Sequence, residues 1–193
     1  MNPIAKTIKV IKDTLTGEDK KFIITPELAD CMSVLEDSSQ NVFITGKAGT
    51  GKSTFIDYFR NTTKKKVVVL APTGLAAINV RGQTLHSFFH LPPRFITKDA
   101  ISLRANSRIY KDLDAIIIDE ISMVRADVLD GIDYFLRVHG KDRNLPFGGI
   151  QMIFVGDLYQ LPPLLLSRKF LSLENSTILR IFLVRMHLIQ LRF

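Results

Sequence analysis

The segment Gly46–Ser53 constrains this chain more than any other part of its sequence. It reads GKAGTGKS and matches the phosphate-binding loop pattern G-x-x-x-x-G-K-[ST] at every position. An apolar run, Val42–Thr45, comes before it, and a helical pattern over residues 52–61 follows it. In this context the glycines let the backbone wrap around an anion, and the helix presents its positive end. The alternative is a glycine-rich turn with a surface lysine, and the flanking strand and helix favour phosphate binding.

Every position of this loop is a candidate nucleotide contact. Lys52 would reach the β- and γ-phosphates of ATP, and Ser53 would ligate the Mg²⁺ that accompanies them. The predicted nucleotide-binding residues are Gly46, Lys47, Ala48, Gly49, Thr50, Gly51, Lys52, Ser53 and Thr54.

Strand and helix patterns alternate along the chain. Apolar runs at residues 42–45, 67–71, 115–118 and 152–155 predict strands, and helical patterns follow the first three. Such alternation predicts an α/β fold with a parallel sheet covered by helices on both faces. The helix after residue 118 is expected to bury Val128, Ile132 and Phe135 or Leu136 and to expose three acidic side chains, Asp127, Asp130 and Asp133.

The lead-in, residues 1–27, has two features of its own. Short strands are predicted around Ile8 and Val10 and at residues 22–24. Thr25, Pro26 and Glu27 then form a helix start, with a capping threonine, a proline at the first helical position and an acid in the first turn. That helix should run to about Glu36.

Two adjacent acids, Asp119 and Glu120, follow the third apolar run. A carboxylate at the carboxyl end of a neighbouring parallel strand points into the same crevice as the phosphate loop. Asp119 is placed to hold Mg²⁺ through water, and Glu120 to orient and deprotonate an attacking water. The alternative is that both acids only cap the following helix.

This pairing narrows the class of nucleotide-binding protein. A GTPase needs an N-K-x-D element, and the nearest segment, residues 96–99, reads ITKD. Small-molecule kinases usually lack the water-activating glutamate. Hydrolysis of ATP, coupled to movement, is the better interpretation.

A third segment, residues 156–163, reads GDLYQLPP after the fourth run. The neutral amide of Gln160 could hydrogen-bond a γ-phosphate and lose that partner after hydrolysis, as a sensor does. A turn ended by two prolines is an equally good interpretation on chemistry alone.

Composition and charge bear on the class of partner and on the cellular compartment. Net charge is +7, of which +4 lies in residues 164–193 and +3 in the other 163 residues, so a polyanion partner is compatible with the main body but not shown by its charge. The single cysteine fits a reducing compartment, cytosol or nucleus, and no signal peptide or apolar run long enough to span a membrane occurs.

Four segments together resemble a known family. Residues 46–54, 71–88 (from APTG to HSF), 119–123 (DEISM) and 156–163 occur in the order of motifs I, Ia, II and III of superfamily 1 DNA helicases, and are most similar to the Pif-type branch, which is related to RecD. The resemblance covers roughly residues 28–163. It implies a RecA-like fold, a P-loop NTPase, and ATP-driven 5′-to-3′ movement on single-stranded DNA, in replication, repair, recombination or telomere maintenance.

The resemblance also implies DNA contacts. Thr73 and Gly74 would meet a phosphate at a helix N-terminus, and His86, Ser87 and Phe88 would line the path of the strand. From the residues alone, His86 and Phe88 could equally belong to the core. Residues 92–112 would correspond to a small wedge-like insertion, whose basic side chains are Arg94, Lys98, Arg104, Arg108 and Lys111.

Two features depart from the family pattern. Leu28 stands at the position expected for the adenine-reading glutamine, so no adenine contact is assigned. Residues 164–193 form an atypical basic apolar tail where a second RecA-like domain would begin. That domain supplies arginines to the γ-phosphate in the family. A truncated or frame-shifted product is the preferred interpretation of the tail, and a real last strand and helix, with a strand at Ile178–Val184, is the alternative.

Three functions remain open. The first is the motor lobe of a helicase, weakly active alone. The second is a non-enzymatic ATP-binding or partner-binding module. The third is an ATPase that remodels other proteins and receives an arginine finger from a neighbouring subunit, which the segment around Gln160 disfavours.

Overall fold

The computed structural model describes residues 25–101, 108–157 and 187–190. The chain divides into two compact units, Met1–Ser38 and Ser39–Phe193. In the first unit, helix α1 spans Pro26–Asp37, and the Thr25 hydroxyl caps it by accepting a hydrogen bond from the Leu28 N–H at 3.4 Å. This confirms the predicted helix start. The short strands predicted before Thr25 lie outside the described residues.

The second unit alternates strands and helices, as the sequence pattern predicts. Its strands are β1 (Val42–Thr45), β2 (Val67–Ala71), β3 (Gln83–Thr84), β4 (Ala115–Ile118), β5 (Gln151–Gly156) and β6 (His187–Gln190). Its α-helices are α2 (Lys52–Thr62), α3 (Gly74–Asn79), α4 (Leu85–Phe89), α5 (Arg108–Asp112) and α6 (Ala126–His139). Short 3₁₀ turns occupy Lys98–Ala100, Ile121–Met123 and Pro146–Gly149.

All six strands form one parallel sheet in the order β3-β2-β4-β5-β1-β6. The four strands predicted from apolar runs are confirmed, and β1, β4 and β5 are buried along their whole length. Sequence patterns did not predict β3 or β6. Strand β6 lies in the basic apolar tail and pairs with β1, whereas the strand suggested at Ile178–Val184 lies outside the described residues.

Alternate side chains of the central strands enter one large apolar cluster with α4, α5 and α6. An aromatic group at its centre joins Phe89, Tyr110 and Phe135, with ring centroids 4.8 Å apart for Tyr110–Phe135 and 5.5 Å apart for Phe89–Phe135. The intervening strand side chains, such as Ile44, Ile117 and Ile153, are buried too. Both faces of the sheet are therefore covered, as expected for a parallel sheet.

Helix α6 corrects one prediction. Val128, Ile132, Phe135 and Leu136 are buried as expected, but Asp127 and Asp133 are also buried, at 4% and 6% exposure, and Asp130 is partly buried. Each buried carboxylate has partners that offset its desolvation. Asp133 accepts hydrogen bonds from Arg137 Nε and from the Phe147 N–H, and Asp127 is bound by Arg125 and by the Ile96 N–H. Helical periodicity gives no sign of such partners.

Within the part of the chain that the structure describes, no helix has the length and apolar character needed to cross a lipid bilayer.

Candidate active site

The phosphate loop and the two acids meet at the carboxyl edge of the sheet. Strand β5 lies between β1 and β4, with Thr45 opposite Gly156 and Ile118 opposite Phe154. The loop that follows Thr45 and the acids that follow Ile118 therefore leave the sheet one strand apart. The buried Asp157 leaves the same edge directly after β5. This is the crevice in which ligands of open α/β sheets bind.

Backbone geometry explains why the loop carries glycines. Gly49 and Gly51 have φ angles of 79° and 75°, in the left-handed region that glycine adopts at little cost. An added Cβ at Gly49 would meet nothing within 4 Å, so the requirement there is conformational rather than steric. Gly51 is the N-cap of α2, and the Phe55 N–H donates to its carbonyl at 2.8 Å. The loop thus turns directly into the positive end of an eleven-residue helix.

Lys52 folds over this loop. Its Nζ donates to the carbonyl oxygens of Gly46 at 2.7 Å and Lys47 at 2.9 Å. The Thr50 hydroxyl also donates to the Lys47 carbonyl, at 2.8 Å, so the loop is closed by its own contacts. Ser53 and Thr54, in the first turn of α2, are exposed. The Ser53 hydroxyl is therefore accessible from solvent, whereas the Lys52 ammonium is held by the loop carbonyls.

Asp119 is a buried carboxylate at 5% exposure. Burial raises its pKa from 3.8 to about 6; the Glu120 N–H hydrogen bond and the charge of Lys52 act in the opposite direction, and the charge of Glu120 raises it further. The loop after β1 and the acid after β4 both lie at the carboxyl edge of the sheet, so the charge of Lys52 acts on this carboxyl. A buried oxygen donor whose charge is poorly solvated is suited to a hard cation such as Mg²⁺.

Glu120 has an unusual backbone for a glutamate. Its φ and ψ are 51° and 43°, in the left-handed region, and it caps the 3₁₀ turn Ile121–Met123. Non-glycine residues in this region cost about 1–3 kcal/mol and cluster at active sites. Gly156 packs closely against this turn. A Cβ at residue 156 would lie 2.9 Å from Ile121 Cγ2 and 3.3 Å from Ile121 N. Strand β5 and the turn after Glu120 can approach this closely only because residue 156 is glycine.

The glutamine predicted as a sensor, Gln160, lies outside the described residues, as do the prolines that follow it. Of that segment the structure describes Gly156 and Asp157. Sequence reasoning gave these two no individual role, although the close approach at Gly156 explains the glycine. Leu28, at the position considered for adenine recognition, is a buried apolar side chain.

The residues predicted to contact DNA lie on α3 and α4. The Thr73 hydroxyl caps α3 by accepting from the Ala76 N–H at 3.2 Å, and Thr73, Gly74 and Ser87 are exposed. His86 is half-buried. Burial lowers its pKa, the nearby Arg125 lowers it further, and Asp127 raises it. All five predicted DNA contacts therefore lie in the segment of the chain between β2 and α5.

Phe88 belongs partly to the core. Its ring makes edge contacts with Phe89 and Tyr110, with centroids 5.0 Å and 5.6 Å apart, and its carbonyl accepts from the Tyr110 hydroxyl. Its remaining surface, with Ser87 and Arg81, lines a surface cavity of about 1030 Å³ that no phosphate-loop residue lines. Both interpretations of Phe88, core and surface, therefore describe part of its environment.

The basic side chains of the insertion are differently engaged. Lys98 lies over the Tyr134 ring, 5.6 Å from its centroid, and the highly exposed Arg108 pairs with Asp112 at 3.9 Å. Arg94 and Lys111 are exposed, and Arg104 lies outside the described residues.

A phosphate loop between strand and helix, with a buried acid at the same edge of a parallel sheet and one strand away, defines a P-loop nucleoside triphosphatase fold of the RecA-like type. Within that class, the family description PIF1-like helicase matches residues 17–182. The chain belongs to the PIF1-like helicase family.

Curated relatives agree with this assignment. The chain is 40% identical over 139 residues to the ATP-dependent DNA helicase PIF1 of Saccharomyces cerevisiae, which covers 67% of this chain and 16% of the yeast protein. It is 42% identical over 147 residues to the ATP-dependent DNA helicase Pif1 of Bdellovibrio bacteriovorus, covering 72% of this chain and 33% of that protein. The chain thus spans a third or less of these two relatives.

Solved structures give the same result for the fold. Bacteroides Pif1 bound to single-stranded DNA superposes with a TM-score of 0.75 at 38% identity, covering 89% of this chain and 42% of that one. Bacteroides Pif1 in complex with ADP-AlF3 and single-stranded DNA superposes with a TM-score of 0.72 at 40% identity, covering 90% and 43%.

Proposed function

We propose that this chain is the motor lobe of an ATP-dependent DNA helicase, in which ATP binding and hydrolysis drive 5′-to-3′ movement on single-stranded DNA. The observation that carries the proposal is the convergence of Lys52, Asp119 and Glu120 at one edge of the sheet in a chain of the PIF1-like helicase family.

The phosphate loop, residues 46–54, would hold the triphosphate. Backbone N–H groups of the loop and the N-terminus of α2 would face the phosphate oxygens. Lys52 would exchange its contacts with the Gly46 and Lys47 carbonyls for the β- and γ-phosphates. The nucleotide would then satisfy the same ammonium group with anionic partners, which make stronger hydrogen bonds than neutral carbonyls.

Ser53 and Asp119 suit a magnesium site. Ser53 offers a hydroxyl in the first turn of α2, and Asp119 offers a carboxylate whose desolvation a cation would offset. Bound with ATP, Mg²⁺ would neutralise charge on the phosphate oxygens. The protein's own contribution is to hold these two oxygen donors on neighbouring elements of one rigid edge.

Glu120 would orient the attacking water and accept its proton. Its left-handed backbone directs the chain away from β4 at the point where the nucleotide would lie. Gln160 would sense the γ-phosphate from the third motif. Thr73, Gly74, His86, Ser87 and Phe88 would contact single-stranded DNA, a ligand that the Bacteroides relative binds.

Hydrolysis by the isolated chain should be slow. The chain spans less than half of the solved relatives. The resemblance to Pif-type helicases implies that an arginine reaches the γ-phosphate from a second domain. An arginine finger contributes about 10³–10⁵-fold in turnover. We therefore expect weak turnover, no processive unwinding by residues 1–193 alone, and a gain in rate where a partner supplies the arginine.

The test is ATP turnover by the purified chain with and without oligo(dT). Lys52→Ala and Glu120→Gln should each abolish any turnover that DNA stimulates. Arg143→Ala is the matched control, since it removes an exposed positive charge remote from the loop and should leave turnover unchanged. Turnover that persists in Lys52→Ala would overturn the proposal. Nucleotide binding without turnover in the unmodified chain would instead favour a non-enzymatic ATP-binding module.

A further inference from the structure

An ion pair between a partly exposed arginine and a buried aspartate lies at the start of α6. Arg125 Nε donates to Asp127 Oδ1 at 2.9 Å, and its Nη2 donates to Asp127 Oδ2 at 2.7 Å, so the pair is bidentate. The Asp127 side chain is 3% exposed and that of Arg125 25% exposed. A pair of this kind fixes direction as well as distance, because the guanidinium plane must lie in the plane of the carboxylate.

The same two side chains hold the beginning of the insertion. Asp127 Oδ2 also accepts from the Ile96 N–H at 2.9 Å, and Arg125 Nη2 also donates to the Arg94 carbonyl at 3.2 Å. Ile96 then packs so tightly on α6 that a Cβ at Gly131 would lie 2.7 Å from its Cγ2. Two hydrogen bonds therefore join the backbone of residues 94–96 to Arg125 and Asp127, and the Ile96 side chain packs on α6 at Gly131.

On one side this cluster adjoins the residues proposed for DNA. The charges of Arg125 and Asp127 both act on the pKa of the half-buried His86. The contacts of the pair are with the backbone of Arg94 and Ile96, at the start of the insertion. A displacement of the pair would therefore move residues 94–96, which the short segment 90–93 joins to α4.

On the other side it adjoins the nucleotide edge. Arg125 lies five positions after Glu120, and the 3₁₀ turn Ile121–Met123 connects them. That turn rests on Gly156, at the carboxyl end of β5. Because this connection is short and packed on Gly156, a change in the backbone conformation of Glu120 would be transmitted to Arg125.

We propose that Arg125 and Asp127 are positioning residues that couple nucleotide binding at the Asp119–Glu120 edge to DNA binding by the segment 86–96. The inference rests on the proposed function. The pair touches neither ligand. It transmits a change between the two sites because Arg125, which closely follows the turn after Glu120, and Asp127 both hold the backbone of residues 94–96, the segment that follows the α4 residues proposed to contact DNA.

A second pair on the same helix provides a matched control. Arg137 Nε donates to Asp133 Oδ2 at 2.8 Å, with side-chain exposures of 29% and 8%, close to those of the first pair. Asp133 accepts a hydrogen bond from the Phe147 N–H, whereas Asp127 accepts one from Ile96 in the insertion. Disrupting this pair should affect the stability of α6 in a similar way without touching residues 94–96.

The experiment measures the affinity of the full chain for fluorescein-labelled oligo(dT) with and without a non-hydrolysable ATP analogue and Mg²⁺. The ratio of the two dissociation constants is the coupling factor, which for allosteric proteins is roughly 5–150-fold. In Asp127→Asn and Arg125→Lys we expect each ligand alone to bind within about twofold of the unmodified chain, and the coupling factor to fall to about 1. Arg137→Gln should keep the factor. Arg125→Lys retains the charge on a partly exposed side chain, so it tests the idea even where Asp127→Asn fails to fold.

The outcomes separate the two proposals. An unmodified chain that binds neither ligand would overturn the proposed function and the coupling with it. An unmodified chain that binds both ligands with a coupling factor of 1, or one whose factor survives Arg125→Lys, would overturn the coupling role alone. A factor lost equally in Arg137→Gln would show that α6 stability, not the Arg125–Asp127 contact, controls it.

Discussion

Two adjacent carboxylates at the end of β4 occupy different environments. Asp119 is buried and its pKa is raised, whereas Glu120 is half-buried and has a left-handed backbone. The position of this acid pair, directly after an apolar run, predicted that both carboxylates belong to the nucleotide site. It could not predict the φ of Glu120, since glutamate has no preference for that region. The turn that follows Glu120 packs closely on Gly156, a tertiary contact that no local sequence pattern shows.

Replacing Asp119 by asparagine should stabilise the ligand-free chain at neutral pH. The pKa of Asp119 is about 6 in the folded chain against an ordinary value of 3.8, so the folded state binds this proton more tightly. The contribution of Asp119 to stability therefore falls as pH rises from about 4 to about 7. At about 1.4 kcal/mol per tenfold change in proton affinity, we expect Asp119→Asn to gain on the order of 1–3 kcal/mol at pH 7.5.

Urea unfolding at a series of pH values, with a chelator present, checks this. The advantage of Asp119→Asn should shrink towards zero only as pH falls below 3.8, where the Asp119 carboxyl is protonated in both the folded and the unfolded chain. An advantage that is constant with pH would show that burial of the charge is not its cause. The same variant should bind Mg-ATP more weakly, which separates stability from function.

Sequence reasoning was wrong about a different kind of acid. Asp127 and Asp133 follow the exposed stripe of α6 by period, yet both are buried beneath neighbouring backbone. Burial raises the pKa of Asp127, but the Arg125 and Ile96 hydrogen bonds outweigh it and the net pKa is lowered. A periodic pattern records which face a residue is on. It does not record which loop will later cover that face.

At the scale of elements, the sharp return from α6 to β5 is built on unusual backbone. Phe147 and Gly148 have φ angles of 51° and 65°, and the Phe147 N–H is held by Asp133 at 2.6 Å. The Gly148 carbonyl accepts from the N–H groups of Lys141 and Asp142, both at 3.0 Å. This return sets where β5 enters the centre of the sheet. In the sequence, the strongest indication of this turn is the pair of adjacent glycines, Gly148 and Gly149.

Gly148→Ala should be severely destabilising. A Cβ at this position would overlap the Leu136 carbonyl and would also occupy a left-handed conformation. The two effects together should cost on the order of 3 kcal/mol. Gly74→Ala is the control, because a Cβ there meets nothing within 4 Å and φ is not positive; it should lie within about 0.5 kcal/mol of the unmodified chain. Denaturant midpoints for the two variants measure the difference, and equal midpoints would refute the steric account.

At the scale of the whole molecule, the strands that carry the site were predictable and the sheet order only in part. Long β-branched runs such as Val67–Ala71 identify buried parallel strands, because both faces must be apolar. Nothing in such a run says which neighbours it will have. Strand β6 was missed because residues 164–193 keep no regular period, and in 187–190 a histidine and a glutamine flank only two apolar residues.

Removing residues 187–193 should open an edge beside the phosphate loop. Strand β6 pairs with β1 along Val42–Thr45, and its loss would leave those backbone groups unpaired. An open apolar edge promotes self-association. We expect a lower thermal midpoint, concentration-dependent oligomers in size-exclusion chromatography, and weaker nucleotide binding. Deleting only residues 191–193 should leave all three unchanged. A monodisperse 1–186 chain of full stability would contradict the role of β6 as a covering strand.

The central place of β5 has a consequence for synthesis. The phosphate loop and the Asp119–Glu120 pair both leave the ribosome before residues 151–156, the strand that separates them in the sheet. A nascent chain of 150 residues would carry both halves of the site with no scaffold between them. Because pairings between distant segments form late, the site should assemble in a single cooperative step once β5 inserts. Acquisition of nucleotide binding during translation would then report the moment at which β5 joins the two halves of the site.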